Sequence, residues 1–189
     1  MNSTESKLSD LLNIKELKDY YNANNIKTAL LFCFGTSVIS KIIQAKTRID
    51  DDELVPSHVA MIIDNHIYES TTDAVRVDHK NIKSGVRRWM IDDYIKSEYK
   101  KQTNYAVYNM EDLINKKIAD SYIHLPYGKD TILDFLLKDG SEGESHGLIC
   151  SQFANLVVQL LPEKKCPTPA DLYREVLRLN SMDGDNNVL

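Results

Sequence analysis

Cysteine is scarce in this chain: Cys33, Cys150 and Cys166, an odd number and widely separated, exclude a framework of structural disulfides. The expectation that follows is a reducing compartment, a cytoplasm that is the chain's own or a host's. Positive charge is also short. Against 28 Asp and Glu stand 23 Lys and Arg, a net charge of -5, and the basic residues are scattered. A nucleic-acid partner needs a concentrated basic face, so none is expected. The short clusters Arg87-Arg88, Lys100-Lys101, Lys116-Lys117 and Lys164-Lys165 read as solvated surface. No apolar run is long enough to span a bilayer, and Met1 to Asp19 lacks the basic start and apolar core of a signal peptide. There is no glycine loop to cradle phosphate and no paired-cysteine zinc spacing, so no metal or organic cofactor is expected.

What is present is an ordinary globular composition, 42% hydrophobic and 27% charged, in 189 residues that suit one domain. Apolar positions Leu8, Leu11, Leu12, Leu17 and Tyr20 predict an amphipathic lead-in helix over Thr4 to Tyr21, within an N-terminal extension covering 1–27. Thr28 to Phe34 reads as a buried strand ended by Gly35, and Ser37 to Ala45 as a short helix capped by Ser37. Arg48 to Val55 is an acidic loop. Val59–Ile63 and Ile67–Thr71 flank Asp64-Asn65-His66 as a hairpin, because Asn tolerates the left-handed backbone of a tight turn. Further strands are expected near Val75–Val77, Val86–Met90 and Tyr105–Tyr108, and helices over Met110–Tyr122, Lys129–Leu137 and Ser151–Leu161. Thr168-Pro169-Ala170-Asp171 opens a final helix, and a loose tail is expected from Asn180. The fold class that results is α+β, a small antiparallel sheet or partial barrel packed against helices.

Two segments carry chemistry. Pro56-Ser57-His58-Val59-Ala60 places a histidine at the head of a buried strand, and Gly147-Leu148-Ile149-Cys150-Ser151 places a cysteine at the start of a buried helix. Free N–H groups and the helix dipole stabilise a thiolate there, and an imidazole can take the thiol proton. With a two-residue turn at Asp64-Asn65, His58, Ala60, Ile62, Ile67 and Glu69 share one sheet face. Glu69 then lies diagonally from His58, within reach to hold the ring in one tautomer. Cys33 reads as inert core and Cys166 as exposed and incidental. His66, His79, His124 and His146 belong to no motif, although His146 lies four residues before Cys150, and the three-glycine stretch Asp139 to Gly147 reads as a flexible loop feeding the cysteine.

The run Ser57-His58-Val59-Ala60, the strand ending Tyr68-Glu69-Ser70, the segment Leu125-Pro126-Tyr127-Gly128, the pair Cys150-Ser151 and the closing Thr168-Pro169-Ala170-Asp171-Leu172 resemble, in the same order, the circularly permuted NlpC-type papain-like proteins, the YiiX/YaeF-like group with poxvirus relatives. The resemblance implies a papain-like catalytic domain over 28–179, with Cys150 as nucleophile, His58 as base and Glu69 as the orienting group. Gln152 stands where that group often has an acidic residue, and Gly128 where an Asp commonly follows the Pro-Tyr pair.

The activity these readings lead to is a cysteine hydrolase, a peptidase or amidase. The oxyanion would be held by backbone N–H groups at the Cys150-Ser151 helix start, with Tyr127. An acyltransferase or thioesterase on lipid-type acyl groups is the competing enzyme, distinguished by a long apolar groove beside Cys150. A catalytically dead binding domain is the competitor from another class, and it predicts a cleft filled by side chains, such as the acidic Asp50-Asp51-Asp52-Glu53.

Overall fold

The computed structural model describes residues 11–77, 80–111, 113–129 and 147–184. The expected helix over Lys129–Leu137 and the loop leading to Gly147 lie almost wholly outside these, as do His79 and His146. The described elements are α1 (Ile14–Asn24), β1 (Thr28–Phe34), α2 (Val38–Thr47), β2 (His58–Ile63), β3 (His66–Thr71), β4 (Val75–Val77), β5 (Lys80–Ile82), β6 (Gly85–Met90), α3 (Ile91–Glu98), β7 (Asn104–Asn109) and α4 (Lys116–Ser121). Two further helices, α5 (Cys150–Val158) and α6 (Pro169–Gly184), close the chain. The architecture is α+β: an open five-stranded antiparallel sheet ordered β6-β3-β2-β1-β7, with helices on both faces, beside a β4-β5 ribbon.

The central strands β1 and β2 are apolar from Ala29 to Phe34 and from Val59 to Ile63 because each face of the sheet is covered. On one face Leu30, Phe32, Met61 and Tyr68 pack with Phe153 and Val157 of α5 and with Leu172 and Tyr173 of α6. On the other, Ala29, Leu31, Ala60, Ile62 and Trp89 pack with Leu17 of α1 and with Tyr94 and Ile95 of α3. Both sheet edges are blunted by irregular chain, as an unpaired strand edge requires. Leu12 exchanges two backbone hydrogen bonds of 2.8 Å with Tyr105 on β7, and Val86 on β6 exchanges backbone bonds with the 124–125 segment.

The β2–β3 hairpin turns as expected: Ile63 faces His66 and Ile62 faces Ile67, with Asp64 (φ 44°) and Asn65 (φ 64°) both left-handed. Other boundaries move for local reasons. Ser37 caps α2 through a 3.1 Å bond from the Ser40 N–H, as anticipated. α4 is shorter than Met110–Tyr122 because Asn115 caps it, accepting from the N–H groups of Lys117 and Ile118. α5 stops at left-handed Gln159, short of Leu161, where the Asn155 amide bonds the Leu161 backbone in both directions and folds the chain back. The lead-in helix expected over Thr4 to Tyr21 begins instead at Ile14 and runs to Asn24: Leu12 is drawn into a bridge with Tyr105, and Asn13 and Glu16 form the capping box that starts α1, while residues 4–10 lie outside the described residues. α6 runs through Asn180 to Gly184, so the tail begins later than the polar composition implies; the Arg178–Glu175 pair and the Ser181 hydroxyl bond to the Arg178 carbonyl support its last turns. The sequence reading also left out α3, which follows β6 directly and takes the Asn65 carbonyl on its first N–H, and the short strand β5. No helix among the described residues is long and apolar enough to cross a membrane.

Candidate active site

The β2–β3 ladder ends at Met61 and Tyr68, well short of the ends of both strands. Beyond that point α5 packs on both strands and brings Cys150 to the opening. The residue before the helix is Ile149, which has no side-chain acceptor to satisfy the first helical N–H groups. Gln152 reaches back to bond the Ile149 N–H at 3.1 Å, and the N–H of Ser151 is left to the Cys150 sulfur. The backbone N–H of Val59 on β2 also bonds that sulfur. A donor that the sheet would otherwise use thereby serves the thiol.

His58 heads β2 and projects from the opposite face of the sheet. Its Nε2 meets Glu69 Oε2 at 3.0 Å, so its other ring nitrogen, Nδ1, is the one left to hydrogen-bond Cys150. Burial pushes the Cys150 thiol up, but the His58 charge and hydrogen bond, with the Val59 and Ser151 N–H groups, outweigh it and lower the pKa. Burial pulls His58 down, but the Cys150 and Glu69 charges and bonds overcome it and push the imidazole up to about 10. Burial opposes the Glu69 charge, yet His58 and Arg87 bring its carboxyl down to about 2. The mutual shifts favour the thiolate–imidazolium form of the pair, with Glu69 ionised beside it.

Arg87 is the residue that sequence reasoning missed. Read as surface beside Arg88, it is 7% exposed, and Arg88 alone faces out. Arg87 stands directly opposite Glu69 across the β3–β6 pair and donates to Glu69 Oε1 from Nε (2.9 Å) and Nη2 (2.7 Å). Its Nη1 donates to the Asp73 carbonyl at 2.6 Å, and its guanidinium stacks 4.5 Å from the Trp89 ring centre. The signal lay in Val86-Arg87-Arg88-Trp89: strand alternation puts Arg87 on the same face as a tryptophan, where a solvated arginine is out of place.

Tyr127 and Ser151 complete the expected set. Tyr127 lines the same cleft, half-buried, and burial followed by the Cys150 charge raises its phenol. It is held there by packing that requires two glycines. A Cβ on Gly147 would lie 2.4 Å from the Pro126 carbonyl oxygen, and one on Gly85 (φ +104°) 2.4 Å from that of Leu125. The 125–128 segment is clamped between them, and Tyr127 bridges Leu148 in parallel fashion. Ser151 contributes its N–H to the sulfur, while its hydroxyl is buried with no hydrogen-bond partner among the described residues.

Cys150, His58, Glu69 and Tyr127 all line a cleft of about 630 Å³. Asp50, Asp51 and Asp52 are exposed away from it, and Glu53 is paired with Arg174 at 2.6 Å, so the acidic loop does not fill the cleft. Cys33 is buried, with its thiol pushed up by burial, as expected of core. Cys166, expected to be exposed and incidental, is half-buried and lines the cleft together with Pro167, Thr168 and Pro169, next to it in the chain. His66 bonds the Asp64 carbonyl in the hairpin turn, far along β3 from the thiol. Among the described residues no group of three His, Cys, Asp or Glu side chains could hold a metal ion. No family model matches the chain, and no curated protein matches its sequence.

Proposed function

We propose that this protein is a cysteine hydrolase of the peptidase or amidase type. The observation that carries the reading is the line Cys150–His58–Glu69: a thiol at a helix N-terminus hydrogen-bonded to an imidazole that a buried carboxylate holds at 3.0 Å, at an open cleft. The Cys150 thiolate attacks a carbonyl carbon, forming an S–C bond and a tetrahedral oxyanion. N–H groups at the α5 start, with Tyr127, stabilise that oxyanion. His58 Nδ1 gives its proton to the leaving nitrogen as the C–N bond breaks. Water, giving a proton to His58, then attacks the thioester; the C–S bond breaks, the acid leaves and the Cys150 thiolate stands again beside the protonated His58. Glu69 keeps Nδ1 aimed at the sulfur throughout. The resemblance to circularly permuted NlpC-type papain-like proteins supports the same roles in the same order along the chain.

Limiting iodoacetamide at mildly acidic pH, followed by peptide mass mapping, tests this. Rapid labelling confined to Cys150, and lost in His58→Ala, is expected. Labelling of Cys150 no faster than Cys166, or indifferent to His58, would overturn the reading.

A further inference from the structure

All three cysteines of the chain line one cleft. Cys33, Cys150 and Cys166 are widely separated in sequence, yet β1, the start of α5 and the connection between α5 and α6 bring them to the same space of about 630 Å³. The proposed hydrolysis uses one of them, and the other two are held very differently.

Cys33 belongs to the middle of the sheet. Its backbone is paired on both sides, opposite His58 on β2 and Tyr105 on β7, and its thiol meets the Tyr94 hydroxyl at 3.7 Å. It is buried, and burial keeps the proton on its sulfur. Cys166 is half-buried and lies outside every helix and strand, on the connection that leads into α6. That connection is tied to the turn of helix that carries the nucleophile. The Gln152 amide accepts from the Ile149 N–H at 3.1 Å and donates to the Lys165 carbonyl at 3.5 Å. One side chain thus joins the residue before Cys150 to the residue before Cys166. A disulfide needs Cα atoms within about 7 Å, an approach open to an irregular segment and closed to a strand paired on both edges.

From this we infer that Cys166 is a resolving cysteine: once a hydroperoxide has oxidised Cys150, Cys166 closes on it as a disulfide that switches the site off and preserves it. This rests on Cys150 being the activated nucleophile, since the thiolate is the form that oxidants take first. The Cys150 thiolate attacks the hydroperoxide, an S–O bond forms and the O–O bond breaks. The leaving oxygen takes the His58 proton and departs as water or an alcohol, and Cys150 is left as a sulfenic acid. The Cys166 thiol then attacks the Cys150 sulfur, the S–S bond forms, the S–O bond breaks, and hydroxide leaves with the Cys166 proton as water. The two sulfurs together lose two electrons, and the hydroperoxide gains them. A reducing thiol reverses the disulfide but not the sulfinic acid that a second oxidation of Cys150 produces.

The test exposes the reduced full chain to a small excess of hydrogen peroxide, then denatures it in iodoacetamide and maps its peptides without reduction. A linked Cys150–Cys166 peptide is expected, two hydrogens lighter than the separate thiol peptides, with Cys33 alkylated. Dithiothreitol should return the native Cys150 labelling rate to near its starting value. In Cys166→Ser or Cys166→Ala, Cys150 should instead gain two oxygens, and dithiothreitol should recover about threefold less of that variant's own starting rate. A Cys150 disulfide to Cys33 or to a second chain overturns the assignment. So does a wild-type Cys150 that stays a thiol, or that becomes sulfinic as readily as in the variants. Labelling before peroxide separates the two readings. Rapid His58-dependent alkylation without a Cys166 linkage rejects the switch and leaves the nucleophile standing, whereas absent labelling rejects both.

Discussion

Arg87 faces Glu69 directly across the β3–β6 pair, and its Nε and Nη2 both donate to one oxygen of that carboxylate while His58 holds the other. The carboxylate is 4% exposed, so without Arg87 it would be a buried charge matched by the imidazolium alone. Arg87→Ala is expected to destabilise the fold by about 3–5 kcal/mol, the usual cost of orphaning one partner of a buried pair. Arg87→Lys keeps the charge but not the two-donor fork. It should recover much of the stability, read by urea unfolding, and less of the Cys150 alkylation rate. Equal recovery of both would mean that Arg87 acts on the fold and not on the aim of Glu69.

The thiolate should persist into acid. The Cys150 pKa is lowered chiefly by His58 acting against burial, so wild-type alkylation should remain fast near pH 6. In His58→Ala the burial acts unopposed by the imidazolium, and the rate at pH 6 should drop about tenfold for each unit by which the thiol pKa rises. A stopped-flow profile of alkylation against pH reads this directly. Profiles that superimpose would reject the ion pair.

Glu69→Gln gives a stability difference with a defined pH window. Glu69, brought down to about 2 from 4.5, contributes stability present above 4.5 and lost as the pH falls toward 2. His58, pushed up from 6.5 to about 10, contributes stability present below 6.5 and lost as the pH rises through about 10. Wild type should therefore exceed Glu69→Gln most between pH 4.5 and 6.5, with the gap closing on both sides. Unfolding midpoints taken across that range check it, and a gap that is constant with pH would show that the carboxylate charge is not what matters.

Gly147→Ala should damage the site from outside the chemistry. The added methyl meets the Pro126 oxygen at 2.4 Å and Tyr127 and Gly128 backbone atoms at 2.6 and 2.8 Å, none of which belongs to a flexible side chain. A loss of about 1–3 kcal/mol is expected from this overpacking, together with slower Cys150 alkylation as the start of α5 shifts. A Gly147→Ala protein that labels at the wild-type rate would show that the 125–128 segment does not set the thiol's position.

The reach of sequence reasoning here follows the range of the interactions. The Asp64-Asn65 turn and strand alternation are local, so the diagonal from His58 to Glu69 could be counted along the chain and is found at hydrogen-bond distance. Cap residues are local too, and Ser37 and Thr168 act where expected. For Arg87 alternation gives only the shared face with Trp89; its partner Glu69 depends on pairing β6 with β3, a long-range register that no spacing gives. The outward-facing apolar side of α2, where Val38, Ile39 and Ile42 are exposed, was missed for a similar reason: its Val-Ile-Ile-Ile pattern announces an amphipathic helix without saying which way that side points. α3 could have been found, since Asp92-Asp93 at its start and Lys96 in its last turn complement the helix dipole.

The Val59 N–H that bonds the Cys150 sulfur bears on how an inert copy of this molecule should be made. Where β2 and β3 part, the sulfur is the acceptor that keeps an interior amide of the sheet from going unanswered. Cys150→Ala removes the nucleophile and that acceptor together, and the penalty falls on the strand that carries His58. Cys150→Ser removes the reactive thiolate while leaving a lone pair in roughly the same place. For trapping a bound substrate, the serine form is the faithful replica, and the alanine form a subtly different protein.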